Sequence, residues 1–402
     1  MITALLVTLI LQTLATMAAF SLAAVAPAVA ADLNIDGNLI GFFVSVVYGV
    51  GVLSAVGSVT FIHRHGPARV GQFTMLTVVA MLVISGAGTA VMDGLLALAL
   101  AALVMGCGYG ATAPISTAVL VPRTPVAQRN FIFSIRQIGV PLGGVLAALV
   151  VPVVATAVGW RLSLLFQIVP VALIVLVLAV IRRDWDAPAA AWTAAASAGG
   201  GPWWMCARAR WRAMVAPLAN GAIARLSAAC FCYTGIQLSF VAFLVVQLTG
   251  PGGLDLVVAA RFLALYQIAG VVSRPIWGWF ADRVIGARWL LAMQGVIMAG
   301  AAVAAAHLGA DWSLAAITAI CVVAGISASG YTGIAYGEYA RLGGAQGTEA
   351  TALGSAAMFS GVLVLPALFS VLATGFASYQ APYYGLAVLA LASAWLLTRG
   401  GR

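Results

Sequence analysis

All nineteen basic residues of this chain are arginine, and two of them fall where a charge is costly. Arg136 lies seven positions past Arg129, inside an apolar run. At 1.5 Å per residue this is about 10 Å into a helix. Arg274 lies eight positions before Asp282, about 12 Å from the end of its own run. A guanidinium inside a bilayer costs about 2.5–3.5 kcal/mol on insertion scales, so it must face water, a protein partner or a ligand. A cation held at that depth suits the binding of an anion. The plainer reading of Arg136 is a structural arginine that bonds backbone carbonyls or snorkels to the surface. For Arg274 it is an ion pair with Asp282 or Glu338. Gln137 adjoins Arg136. Gly139 and Gly143 follow on the face of Arg136, with the Gly-x-x-x-Gly spacing that lets helices approach closely. Gln267, Gly270 and Arg274 likewise share a face.

Shorter polar stripes recur at helical spacing. Gln12 and Thr16 form one, Tyr109, Thr112 and Ser116 a second, Tyr233 and Gln237 a third, and Ser327 and Tyr331 a fourth. Each serves either as a ligand contact or as polar glue between helices. The ten acidic residues avoid the middle of every apolar run. A proton relay usually needs an intramembrane carboxylate or histidine, and His63, His65 and His307 lie in or near loops. Glu338 is the plausible proton carrier, with a salt bridge to Arg341 as its plainer role. The absence of lysine excludes a Walker-type phosphate loop, and with it an ATP-driven pump within this chain. Cys230 and Cys232, two apart on a helix, point to different faces and cannot close a metal site. No cofactor is expected.

The elements that must carry these residues follow from composition. Hydrophobic residues make up 63% and charged residues 7% of 402, against about 25% charged in a soluble domain. A membrane span needs about 20 apolar residues. Reading apolar runs against polar breaks predicts twelve spans, at 2–29, 38–62, 70–90, 94–120, 131–157, 162–181, 217–248, 256–281, 288–308, 312–337, 350–374 and 381–398. The first run ends in Ala28-Val29-Ala30, which resembles a cleavage site. It is too long for a signal segment and no basic residue precedes it, so it reads as an uncleaved span. One side, the even-numbered breaks with the tail, holds fourteen arginines, and the other side only Arg161 and Arg261. The positive-inside rule then places both termini and the long central loop in the cytoplasm. That loop divides the chain into 1–183, 184–213 and 214–402. Its part 187–202, rich in Ala, Gly and Pro, reads as a flexible linker. The part 203–212 interleaves Trp and Arg and suits a helix lying in the headgroup layer. The bilayer accounts for this patch, and a nucleic-acid partner is not expected.

The two halves echo one another. Arg64 and Arg283 are 219 positions apart, and Arg123 and Arg341 are 218 apart. Such offsets predict a six-span duplication in parallel orientation, and transporters built this way hold solute near the midplane.

The stretch Gly278-Trp279-Phe280-Ala281-Asp282-Arg283-Val284-Ile285-Gly286-Ala287-Arg288 resembles the cytoplasmic signature loop of the major facilitator superfamily, with one extra residue on each side of the second glycine. In the first half His63 stands in place of the acid, before Arg64 and Gly66. A carboxylate at a helix end can pair with arginine and with the positive end of a neighbouring helix. On this resemblance Gly278, Asp282, Arg283, Arg288, Arg64, Arg274 and Glu338 are candidates for a conformational latch. The segment Phe133-Ser134-Ile135-Arg136-Gln137-Ile138-Gly139-Val140-Pro141-Leu142-Gly143-Gly144 is similar to the fifth helix of bacterial cyanate- and nitrate-permease-like members, in which lysine commonly replaces the arginine. Gly337-Glu338-Tyr339-Ala340-Arg341 is also similar to that group.

The resemblance implies an all-α membrane protein of twelve transmembrane helices in two pseudo-symmetric six-helix bundles that rock about a central site. It implies that the first, fourth, seventh and tenth helices line the cavity, and that the fifth and eighth pack near each other. Gln12, Tyr109, Arg136, Gln137, Tyr233, Gln237, Gln267 and Tyr331 are then the candidate solute contacts. The expected function is secondary transport of a small organic or inorganic anion across a bacterial inner membrane, with a proton or an exchanged anion as the coupled species. The expected partners are the lipid bilayer and the solute, and a monomer is expected. A multidrug or metabolite exporter is the alternative: the Gly-Pro-Gly-Gly element of the fifth span vaguely resembles an exporter signature, interrupted by Val140. A membrane sensor or enzyme is a remote third, lacking clustered catalytic residues.

Overall fold

The computed structural model describes residues 1–124, 132, 135–197, 215–344 and 347–399. Among them, twelve helices are long and apolar enough to cross a membrane. In the first half these are α1 (Ile2–Ala24), α2 (Ile40–His65), α3 (Pro67–Gly86), α4 (Gly94–Leu120), α5 (Ile135–Val158) and α6 (Trp160–Ala187). In the second they are α7 (Gly221–Thr249), α8 (Leu256–Arg283), α9 (Ala287–Ala306), α10 (Leu314–Gly343), α11 (Gly347–Gly375) and α12 (Gln380–Thr398). Lipid offers the backbone no hydrogen-bond partner, so each span must satisfy its own polar groups, which an α-helix does. Large apolar side chains are accordingly left exposed, among them Val180 at 80% and Val388 at 65%.

Polar residues at the starts of four helices close the unsatisfied N–H groups there. Asp93 accepts from Leu96 N at 2.9 Å, Asn220 from Ala222 N at 3.0 Å, Asp255 from Val257 N at 2.9 Å and Ser313 from Ala316 N at 3.2 Å. Several of the spans depart from a regular helix, α1, α4 and α10 among them. Helix α1 stops at Val25, before Pro27, and a short helix Ala26–Leu33 follows. Helix α4 breaks at Gly110 and Ala111, between Tyr109 and Thr112. Helix α10 contains a π turn over Gly325–Ser329.

The helix that begins at Ile168 runs on to Ser197. This corrects the expectation of a flexible linker over 187–197, because alanine is the strongest helix former and outweighs Pro188 there; the rest of that linker, 198–202, lies outside the described residues. The Trp–Arg segment 203–212 and Arg129 lie outside the described residues, as do the side chains of His63 and Asp282.

Contacts group the chain into two compact units. One holds residues 1–37 and 46–200, the other 38–45 and 201–402. The repeat is visible in how each unit brings backbones together. In the first, a Cβ on Gly143 of α5 would overlap the Thr13 carbonyl of α1, and in the second a Cβ on Gly361 of α11 would overlap the Phe231 carbonyl of α7. Both members of the pair are shifted by 218 positions. Gly106 against the Val47 carbonyl and Gly325 against the Tyr266 carbonyl repeat at 219. Gly66 and Gly286, at φ +89° and +76°, start α3 and α9 at an offset of 220. The duplication read from loop arginines is thus matched at helix crossings, where small residues permit close approach.

Candidate solute site

In the first unit the sequence candidates converge on Arg136, which is only 3% exposed. Gly139 and Gly143, one and two turns on, set α5 against α1, and this brings Arg136 to Gln12. Nη2 donates to Gln12 Oε1 at 2.7 Å and to the Thr112 carbonyl at 2.9 Å. Nε donates to Ser116 Oγ at 3.0 Å, and Nη1 to Gln137 Oε1 at 3.1 Å. The network continues across the unit. Gln12 Nε2 donates to Thr16 Oγ1 at 2.9 Å, the Thr16 hydroxyl lies 3.2 Å from Tyr109 OH, and Tyr109 OH lies 3.3 Å from Tyr48 OH. The two tyrosine rings meet edge to face at 5.3 Å. Helices α1, α2, α4 and α5 thus share one buried polar chain anchored on a guanidinium. The planar fork of arginine suits several oxygen atoms at once, and its direction is set by those atoms.

The second unit has its own polar cluster, built on the π turn of α10. Such a turn interrupts the regular i→i−4 ladder and is frequent at functional sites. Two of its carbonyls accept from α8: Arg274 Nε donates to Ser329 O at 3.2 Å and Trp277 Nε1 to Ile326 O at 2.6 Å. Gln237 Nε2 reaches Ser329 Oγ at 3.4 Å, and Tyr266 OH donates to the Gln237 carbonyl at 3.3 Å. Tyr331 OH bonds Thr234, and its ring meets Tyr233 edge to face at 5.4 Å. Tyr233 OH donates to Leu291 O at 3.0 Å. Gln267 is 2% exposed and its amide nitrogen has no hydrogen-bond partner among the described residues. A buried donor of this kind is held at a cost of about 1–3 kcal/mol.

The latch candidates occupy several different settings. Arg288 donates to the Leu397 and Thr398 carbonyls at the end of α12. Glu338 pairs with Arg341 through two hydrogen bonds of 2.6 and 2.7 Å. Arg64 and Arg283 are exposed, and Gly278 lies half-buried on α8.

Where the first-half signature lacks its acid, a distant residue acts on the same turn. Asp186, near the end of α6, accepts from Ala68 N at 2.8 Å and so caps α3. A side chain on Gly66 would collide with that carboxylate. Asp186→Ala is expected to lower stability by about 1 kcal/mol, the usual worth of an N-cap, read as a fall in unfolding temperature of the purified protein. Sequence reading also missed Tyr48, Tyr266, Trp277 and Ser329. Spacing assigns a residue to a face, but not to the helix that face will meet, and the π turn carries no periodic signal.

Twelve apolar spans, built twice on one six-helix plan with buried polar clusters in each copy, define a polytopic membrane protein of the transporter type. The sequence model described as "Major Facilitator Superfamily" matches residues 8–343. The chain belongs to that family, and it is a secondary transporter of a small-molecule solute rather than an enzyme. No curated protein matches the chain in sequence. Among solved structures, the nucleoside transporter NupG, in a mutant form, superposes with a TM-score of 0.75 at 13% identity, over 98% of this chain and 99% of that one. The peptide transporter POT in complex with sulfate gives 0.70 at 15% identity, over 98% and 93%. A bacterial homologue of the human lysosomal transporter Spinster, inward-facing and unoccupied, gives 0.68 at 14%, over 98% and 94%. At these identities the likeness is one of fold.

Proposed function

We propose that the chain carries a small organic or inorganic anion across the bacterial inner membrane by alternating access, and that Arg136 is the charge that attracts it. The observation that supports this reading is a buried guanidinium oriented by oxygens of Gln12, Thr112, Ser116 and Gln137. A carboxylate, phosphate or sulfate gains most from such a donor, because charge-assisted bonds are roughly twice as strong as neutral ones. Gln12 and Tyr109 would complete the contact in the first unit, and Tyr233, Gln237, Gln267, Tyr331 and Arg274 would supply the second. The segments 133–144 and 337–341 favour the cyanate- and nitrate-permease-like group. The arginine asymmetry of the loops favours cytoplasmic termini.

Counterflow in proteoliposomes with a panel of small acids tests the reading. Exchange of at least one labelled acid is expected. Dye efflux from loaded cells, with no acid exchanged, would favour the exporter instead. Coupling has its own test. Glu338 is 5% exposed and engaged by Arg341. Glu338→Gln is expected to leave the pH profile of uptake in place and to lower stability by at most about 1 kcal/mol, since Arg341 is largely solvated. A flattened pH profile would make Glu338 the proton carrier.

A further inference from the structure

We propose that the groove between α9 and α12 binds an anionic phospholipid, with one acyl chain along the groove and the phosphate at Arg399 and Arg288. The groove has a volume of about 410 Å³. Helix α9 lines it with Trp289, Ala292, Met293 and Val296, and α12 with Leu391, Ala394, Trp395 and Thr398. Each set has the spacing i, i+3, i+4, i+7, so each is one straight stripe about 10 Å long. Ala292 and Ala394 are buried and form the floor, while Trp289 and Trp395, about half exposed, form the walls. The one hydroxyl in the lining belongs to Thr398, and it donates to the Trp395 carbonyl at 2.8 Å. The lining therefore suits an alkyl chain.

The end of the groove has the opposite character. The last carbonyls of α12, Leu397 O and Thr398 O, accept from Arg288 at the start of α9, which brings the two helix ends together. The Arg288 guanidinium lies 5.7 Å from the Trp289 ring, and the exposed Arg399 guanidinium lies 3.6 Å over the Trp395 ring. Two cations thus flank the mouth of an apolar slot that, among the described residues, has no carboxylate in its lining. Tryptophans favour the headgroup level of a bilayer, and guanidinium groups suit phosphate oxygens. Apolar slot, aromatic rim and paired cations follow one another in the order of acyl chain, interface and phosphate. A neutral lipid would use the slot but not the charges, and free phosphate would use the charges but not the slot.

Native mass spectrometry of the purified full-length protein, titrated with phosphatidylglycerol or phosphatidylcholine, tests this. The wild type is expected to retain phosphatidylglycerol more tightly, by about fivefold for each guanidinium that contributes. Arg399→Gln is expected to lower that preference about fivefold, leaving the share of Arg288. Val296→Trp, at a position already exposed to lipid, is expected to block the slot and weaken retention of both lipids, with the unfolding temperature unchanged. Excess inorganic phosphate is expected not to displace the lipid. An unchanged preference in Arg399→Gln, unchanged retention in Val296→Trp, or displacement by phosphate alone would each overturn the proposal.

Discussion

Arg136→Met is expected to reduce solute counterflow about 10- to 100-fold. A hydrogen bond to a charged group is worth about 1.5–3 kcal/mol, and each 1.4 kcal/mol is tenfold in affinity. The same substitution also has a structural cost. It removes the donor that meets Gln12 Oε1 at 2.7 Å and the Thr112 carbonyl at 2.9 Å, and a buried acceptor left unpaired costs about 1–3 kcal/mol. Uptake alone therefore does not separate a binding role from a packing role. Stabilisation by solute does separate them. A solute that raises the unfolding temperature of the wild type should produce no rise in Arg136→Met, even at saturating concentration for the wild type. Arg136→Lys should fall between the two, because lysine keeps the charge but lacks the planar fork that meets Gln12, Ser116 and Gln137 together. Retained affinity in Arg136→Met would end the anion reading, whatever happened to its stability.

Gly361→Val is expected to abolish the monodisperse folded protein. A Cβ there would meet the Phe231 carbonyl oxygen, with the carbonyl carbon at 2.7 Å and Cα at 3.1 Å. Overpacking that side chains can absorb costs about 1–3 kcal/mol. Here the obstacle is the backbone of α7, which cannot rotate aside, so α7 and α11 would have to separate along their contact. Gly300 offers the control. It lies on α9, and a Cβ there meets nothing within 4 Å. Gly300→Ala is expected to be neutral or to stabilise by about 0.5–1 kcal/mol, through the smaller conformational entropy of alanine. Size-exclusion profiles and unfolding temperatures of the two variants, prepared in parallel, decide the matter. Equal behaviour would mean that the close approach of α7 and α11 is not a requirement of the fold.

The amino-acid sequence by itself determined the number of spans, their approximate limits and the duplication. The bilayer leaves little choice: a long apolar segment without charge has to be a helix, and its length is set by membrane thickness. The sequence also determined that Arg136 shares a face with Gly139 and Gly143, because helical periodicity is local. The tertiary structure alone decided which groups those faces meet. Gln12 is 124 positions from Arg136, Asp186 is 118 from Ala68, and Leu397 is 109 from Arg288. Contacts at such separations depend on how helices pack, and packing follows the shapes of whole surfaces rather than any repeating pattern. The π turn at Gly325–Ser329 and the helix running on to Ser197 were equally hidden. The first departs from the regular helical period, and in the second the helix propensity of alanine prevails over a composition that also suits a linker.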